Sequence, residues 1–374
     1  MIRWTQPSLG ERELDALAGV FRDGWPGAGP RVREFRREFA AYVGAPEEQL
    51  IAITSCTEGL FLTLKALDLG PGDEVVLPTI SFVGAAHAVR NAGARIRLAD
   101  VDPLTLNPTP EHIRRCLTAN TRALILLHYG GRAGWIKEIA ALARQRGVLL
   151  IEDAACGLGA TTSAGACGTL GDVGIWSFDS MKLLAAGDGG MLRCANAVLR
   201  ERVDRSSRLG GITSGLDAAA QSRTWWRMDP QQPGRRAFMN DMTAAVARVQ
   251  LERLPSLIKR RRELIEAYVA RLAECREIRI PAGSGPTDAP YFFWIQTEAR
   301  DAVAWALRDG GIYSTFRYWP LHRMRLYADG GDYPGADRAA DTTLLLPLHA
   351  ELGEEEVDLI CGIAARTARA GDVQ

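Results

Sequence analysis

The chain predicts an α/β protein, with a mostly parallel sheet covered by helices on both faces and a smaller α+β unit at the C-terminal end. Three observations carry this. Short apolar runs and amphipathic stretches alternate between residues 51 and 152. The apolar runs are nearly continuous, as in strands buried on both faces, rather than alternating as in half-exposed ones. The 374 residues, 47% of them hydrophobic, allow two folded units with ample core.

Taken in order, residues 9–22 and 32–43 show helical periodicity, with apolar positions at Val32, Phe35, Phe39 and Val43 in the second. Between them lies Gly24-Trp-Pro-Gly-Ala-Gly-Pro30, with three glycines and two prolines in seven residues. Residues 50–53 read as a strand, 57–67 as a helix ended by Gly70-Pro-Gly72, and 74–77 as a strand. Helices at 83–91, 110–116 and 134–146 alternate with strands at 95–101, 123–128 and 148–152. Residues 209–238 are irregular. Asn240 or Asp241 caps a helix to about Leu254, and Pro255 predicts a break before a second helix over 257–272. Strands near 277–280, 291–296 and 312–315, a helix at 302–308 and a terminal helix after Gly353 complete the chain. The expected division is a large domain at 1–250 and a small one at 251–374.

Composition excludes several classes. Lys+Arg and Asp+Glu are equal at 45 each, so no electrostatic footprint for nucleic acid or an anionic membrane is present. No apolar run reaches the length of a membrane span, and the first residues lack the apolar stretch of a secretion signal. The seven cysteines are scattered and never form a CxxC pair, which predicts reduced thiols, a cytoplasmic location and no zinc site. The five histidines form no metal-ligand cluster, and no metal is expected.

Chemistry concentrates where ligands gather on such sheets, beyond the carboxyl ends of the strands. Only four of the 45 basic residues are lysines: Lys65, Lys137, Lys182 and Lys259. Arginine keeps its proton in proteins, whereas lysine can become a nucleophilic amine. Lys65, Lys137 and Lys259 fall in amphipathic helices. Lys182 falls between the apolar run 174–178 and Gly187-Asp-Gly-Gly190. It is either a catalytic amine or a surface lysine. Ser55-Cys-Thr57 follows a strand and opens a helix, which suits either phosphate binding or a plain N-cap. Glu152-Asp153 ends an apolar strand. Asp153 could hold a cationic ring nitrogen, bind a metal or cap a helix. Phe82, after another strand, is core by default, and Ser177 precedes Lys182. Taken in order these are an anion turn, an aromatic, an acid, a serine and a lysine. Pyridoxal phosphate (PLP) needs those parts: a phosphate cradle, a stacking surface, a partner for the pyridine nitrogen and a Schiff-base lysine.

The sequence resembles the DegT/DnrJ/EryC1/StrS family of sugar aminotransferases, within the fold type I PLP enzymes. The resemblance runs over nearly the whole chain. It rests on residues 23–30, on Gly70-Pro-Gly-Asp-Glu-Val-Val-Leu-Pro78, on Ile151-Glu-Asp-Ala-Ala155 and on residues 341–348. Its most specific part is Ser177-Phe-x-x-x-Lys182 followed by Gly187-Asp-Gly-Gly190. It implies a mostly parallel, seven-stranded type of sheet. By position it implies Lys182 as the Schiff-base lysine, Asp153 on the pyridine nitrogen, Phe82 against the ring, and Cys56, Thr57 and Ser177 around the phosphate. Three departures stand out. Cys156 occupies the place where the family usually has His or Gln near the ring hydroxyl. Asp188 replaces a Glu. Residues 235–241 differ from the loop that reaches the neighbouring subunit's phosphate, leaving Arg236 or Asn240 for that role.

The resemblance implies an aminotransferase that cycles between PLP and its amine form, PMP. It would take an amino group from glutamate or glutamine and deliver it to a keto sugar, nucleotide-linked, in amino-sugar or natural-product biosynthesis. It also implies a homodimer with shared active sites. The same chemistry would serve a keto-cyclitol, and a non-catalytic regulatory protein on this fold is the reading from another class. The family's dehydratases carry His in place of this lysine, so Lys182 disfavours dehydration. Trp25, His128, Tyr129, Trp225, Trp226, Arg317, Tyr318 and His322 are candidate walls of the substrate pocket.

Overall fold

The computed structural model describes residues 1–212, 223–224, 226–281 and 285–371. Trp225, one of the candidate walls, lies outside the described residues.

A seven-stranded sheet forms the centre. Its strands are β1 (Leu50–Ile53), β2 (Glu74–Pro78), β3 (Arg95–Ala99), β4 (Thr121–Leu127), β5 (Leu149–Asp153), β8 (Val173–Ser177) and β9 (Gly190–Cys194). A two-stranded hairpin, β6 (Thr161–Thr162) and β7 (Gly165–Ala166), lies between β5 and β8 in the chain. The spatial order is β1-β9-β8-β5-β4-β2-β3. The five strands from β3 to β8 pair in parallel, and β9 runs antiparallel to both of its neighbours. The expected α/β class and mostly parallel sheet are therefore what the chain adopts.

The continuous apolar character of the strands has a direct cause. Along β4, Ala123, Ile125 and Leu127 join one core layer, while Leu124 and Leu126 join another on the opposite face. Strands covered on both sides need apolar residues at every position. The covering helices are α1 (Glu11–Arg22), α2 (Pro30–Val43), α3 (Cys56–Ala66), α4 (Val83–Asn91), α5 (Pro110–Cys116), α6 (Ile136–Arg146) and α7 (Ala197–Ser207). The periodicity had not marked α7. The same alternation divides the carboxylates that end β5. Glu152 shares the face of Leu150, and Asp153 shares the face of Ile151.

Beyond residue 240 the helix α8 runs unbroken from Asp241 to Leu272, through Pro255. The expected break at Pro255 does not occur. Leu251, Leu254, Leu257 and Ile258 are all buried on either side of it, so packing outweighs the backbone hydrogen bond that proline lacks. Helices α9 (Arg300–Asp309), α10 (Pro334–Thr342) and α11 (Glu354–Gly371) follow, with the antiparallel pair β10 (Phe293–Gln296) and β11 (Thr343–Leu346). The strands expected at 277–280 and 312–315 are reduced to isolated bridges at Arg279, Ile312 and Thr315. A separate apolar core joins the end of α8 to β10, β11, α9 and α11. The N-terminal segment packs here as well. Ile2 bridges Ile312, and the Leu348 amide donates to the Trp4 carbonyl at 2.9 Å.

Candidate active site

The carboxyl ends of β1, β2, β5 and β8 bring the predicted residues together. α3 opens directly after β1, with Ser55 as its N-cap accepting from the Glu58 amide at 3.1 Å. The positive end of the helix therefore lies at the site, with Cys56 and Thr57 as its first residues. Close approach is built in by glycine. A Cβ on Gly190 would fall 2.8 Å from the Cys56 nitrogen and 2.9 Å from the Trp176 carbonyl oxygen. Only glycine lets β9 start against this turn. The Cys56 side chain turns inward, its thiol 3.7 Å from Asp153 Oδ1 and 3.9 Å from the Ile175 carbonyl. Burial, with Asp153 beside it, holds that thiol well above the usual range. Its backbone amide, not its sulfur, is what it can offer an anion.

Phe82 follows β2 as the N-cap of α4 and is 37% exposed, too open for the core position it would occupy by default. A Cβ on Gly84 would meet the Phe82 ring at 2.7 Å and the Thr57 methyl at 3.1 Å. The ring thus lies beside the helix-opening turn. Its other neighbour is Tyr318, with ring centroids 5.6 Å apart.

The two acids after β5 do different jobs. Glu152 Oε2 accepts from the Gly168 amide and pairs with His128 Nε2, both at 2.8 Å. Its Oε1 accepts from the Leu170 and Gly171 amides. Burial works against the Glu152 charge, but His128 and these amides outweigh it and lower its pKa. Burial also opposes the charge on His128. Cys167 and Glu152 outweigh it and hold His128 well above the ordinary value. Glu152 and His128 are thus a structural pair, and His128 does not line the pocket. Asp153 is equally buried but has no cationic partner within hydrogen-bond reach among the described residues. Its Oδ1 accepts from the Ala155 amide at 3.1 Å, and its Oδ2 accepts no hydrogen bond from the described residues. Burial raises its pKa, against the Ala155 amide and Lys182, which lower it.

Ser177 ends β8, buried, accepting from the Asp179 amide at 3.4 Å. Phe178 next to it is locked edge-on among Phe35 and Phe39, at 5.2 and 5.6 Å. The turn that follows is tied by Lys182 N to Asp179 O at 2.8 Å and Ser180 Oγ to Gly187 O at 2.9 Å. Asp188, exposed, accepts from the Gly189 amide at 2.8 Å. Lys182 Nζ lies 4.0 Å from Cys156 Sγ and 4.7 Å from the centre of the Tyr291 ring. Cys156 Sγ is also 4.0 Å from Tyr318 Oη. Burial disfavours the ammonium, but Cys156, Tyr291, Tyr318 and Asp153 hold its proton more tightly than usual.

Two contributors escaped the sequence reading. Tyr291 is buried just before β10, more than a hundred residues from Lys182, and no local pattern marks it. Gln250, inside α8, is fully buried. Its Oε1 accepts from the Ala185 amide at 3.4 Å, and its Nε2 donates to Ser8 O and Glu13 Oε1. It braces the lysine turn from behind.

Other expected residues take other places. Arg236 is exposed, its guanidinium 5.4 Å from the Phe238 ring centre. Asn240 caps α8, its Oδ1 accepting from the Thr243 amide at 2.9 Å. Tyr129 is buried and donates to the Arg317 carbonyl. His322 is held between Thr79 Oγ1 at 2.7 Å and Asp337 Oδ1 at 3.0 Å, stacked on Tyr333, so it anchors the Tyr318 loop. Trp25 is exposed and donates to the Ala28 carbonyl at 3.0 Å, and Trp226 is exposed. No helix among the described residues is long and apolar enough to cross a membrane, and no described cluster of His, Cys, Asp and Glu could hold a metal ion.

A family model described as the DegT/DnrJ/EryC1/StrS aminotransferase family matches residues 7–364. The chain belongs to this family. It is an aminotransferase of the PLP-enzyme fold. It is 46% identical over 362 residues to the dTDP-4-dehydro-2,3,6-trideoxy-D-glucose 4-aminotransferase of Saccharopolyspora spinosa, covering 96% of this chain and 94% of that one. The crystal structure of the aminotransferase TlmJ from Streptoalloteichus hindustanus superposes with a TM-score of 0.94, at 45% identity and full coverage of both chains. A putative sugar aminotransferase from Streptococcus pneumoniae in its PMP form shares the fold at a TM-score of 0.89 and 24% identity, over 98% of each chain.

Proposed function

We propose that this aminotransferase uses PLP held at Lys182 to move an amino group from glutamate or glutamine onto the keto group of a nucleotide-linked sugar. The observation that carries the cofactor is the shape of the site. Glycines at 84 and 190 open a cradle that a Cβ would fill, at the positive end of α3. The donor set fits as well. Asp153 is a buried carboxylate with no cation within hydrogen-bond reach among the described residues, Phe82 offers an open ring face, and Lys182 offers the primary amine. The 46% identity to a sugar 4-aminotransferase supports the acceptor class. The exposed Leu14 and Phe21, seven residues apart on α1, support a homodimer that covers them.

PLP, when bound, supplies an electron sink for the carbon that loses and gains the amino group. The residues do the rest. Cys56, Thr57 and Ser177 would hold the phosphate, with the α3 terminus favouring its charge. Asp153 would keep a proton on the pyridine nitrogen, which also gives its buried charge a partner. Phe82 would pack on the ring. Lys182 Nζ is the base that takes a proton from the donor carbon and returns it. A placed base contributes on the order of 10²–10⁴ in rate. Tyr291 and Tyr318 flank the amine and limit access of water. Arg236 or Asn240 would reach the neighbouring subunit's phosphate.

The test is a panel of nucleotide-linked keto sugars and keto-cyclitols with L-glutamate, read by 2-oxoglutarate formation. Turnover of a 4-keto sugar nucleotide is the expected result. Turnover confined to keto-cyclitols would move the acceptor to that class, and no turnover with any ketone would overturn the reading.

A further inference from the structure

A cavity of about 580 Å³ lies where the turn after β3 meets the C-terminal core, and none of its lining residues belongs to the Lys182 site. That volume suits a small organic ligand. One wall is the turn at Pro103 and Leu104, and it is fixed from across the seam. Gln296 Nε2 donates to the Pro103 carbonyl at 2.6 Å, and Trp294 Nε1 donates to the Leu104 carbonyl at 3.2 Å. The floor is apolar where Leu104, Ala299 and Ala368 meet. Four charges at the cavity are already matched in pairs. Arg338 is bonded to Glu298 through both of its terminal nitrogens, and Glu277 Oε2 lies 4.0 Å from Arg369 Nε, beside the lining. Arg276 and Arg279 also line the cavity, and neither makes an ion pair among the described residues. Exposed arginines are often unpaired because water serves them. These two differ in edging a preformed hollow with a buried floor. Gln296, itself buried, spends its amide nitrogen on Pro103 and Thr343, and its Oε1 accepts no hydrogen bond from the described residues.

We infer that this cavity is a second binding site, for a phosphate ester carried on a polar ring, as in a nucleotide or a sugar phosphate. Two unpaired guanidiniums favour phosphate over carboxylate. A phosphate ester brings nearly two charges and several acceptor oxygens, enough for both arginines, whereas one carboxylate is filled by a single guanidinium fork. The apolar floor takes the face of a ring, and Gln296 Oε1 takes an N–H or O–H from its edge. The site is independent of the Lys182 reading, since the two share no residue.

The experiment titrates dTDP, glucose 1-phosphate and inorganic phosphate by calorimetry into the full chain loaded with PLP. Two double variants are compared with it: Arg276→Gln/Arg279→Gln at the cavity, and Arg144→Gln/Arg146→Gln, which removes the same charge from the exposed end of α6. At least one ester should bind a site whose affinity falls roughly 10- to 100-fold in the cavity variant and stays unchanged in the α6 variant. Any binding of dTDP at the Lys182 site is common to all three proteins and cancels in the comparison. A loss confined to dTDP assigns the site to nucleotides, and one confined to glucose 1-phosphate assigns it to sugar phosphates. Identical isotherms for both esters in wild type and the cavity variant would overturn the inference. So would an equal loss in the α6 variant, or inorganic phosphate binding as tightly as either ester, which would reduce the site to an ion trap. All four substituted arginines are exposed, and thermal melts check that the variants fold.

Discussion

At the scale of single residues, the site is governed by how the chain treats its buried charges. Asp153 is buried with no cation within hydrogen-bond reach among the described residues, and burial raises its pKa. A carboxyl raised in the folded state weakens the fold once pH exceeds its unfolded value, and the penalty is complete above the folded pKa. Asp153→Asn should therefore stabilise the cofactor-free protein at neutral pH. The gain should vanish in acid, where Asp153 is already protonated. Urea denaturation at the two pH values reads this, and the same variant should lose about 10²-fold or more in turnover. Glu152 behaves in the opposite way. Its pKa is lowered, so its contribution is present above about pH 4.5 and is lost as pH falls through its folded value. His128→Ala leaves that carboxylate buried and unpaired, and should cost roughly 3–5 kcal/mol in chemical denaturation. The sequence marked both acids but could not divide their roles. The division comes from the alternation of side chains along β5 and from the amides of residues 168–171, which no local pattern places there.

At the scale of elements, the site depends on close approach between secondary structures. Gly190→Ala would set a methyl against backbone atoms of Ser55, Cys56 and Trp176, none of which can move alone. It should lower thermal stability and weaken PLP binding together. Gly84→Ala would meet mainly the Phe82 ring, which can rotate away. It should weaken PLP binding with little change in melting temperature, as read by cofactor titration and thermal melts. Strands and most helices of the sheet domain were legible because burial on both faces writes continuous apolar runs. The break expected at Pro255 was misread, since the packing of α8 is decided by distant partners. Tyr291 and Gln250 were invisible for the same reason: each reaches Lys182 or its turn from a remote element.

At the scale of the whole molecule, the N-terminal strand segment and the C-terminal core are one structure. Ile2 pairs beside Ile312, and Trp4 lies under Arg317 and packs on Phe292 at 5.9 Å. Removing residues 1–5 should lower the melting temperature, while Leu14→Asp on the exposed face of α1 should shift the protein toward monomer in light scattering. This return of the first residues to the last ones was not legible, because pairing across three hundred residues leaves no trace in local composition. The family was legible because its motifs cluster at strand ends in chain order.

The cofactor and turnover effects among these turn on Lys182 being the residue that carries PLP. The most direct measurement is borohydride reduction of the PLP-loaded full chain, followed by peptide mapping. The account predicts a yellow protein whose colour fades on adding L-glutamate, with the reduced pyridoxyl label on Lys182 and none in Lys182→Arg. A label on Lys65, Lys137 or Lys259, or a colourless protein that PLP does not change, would contradict it.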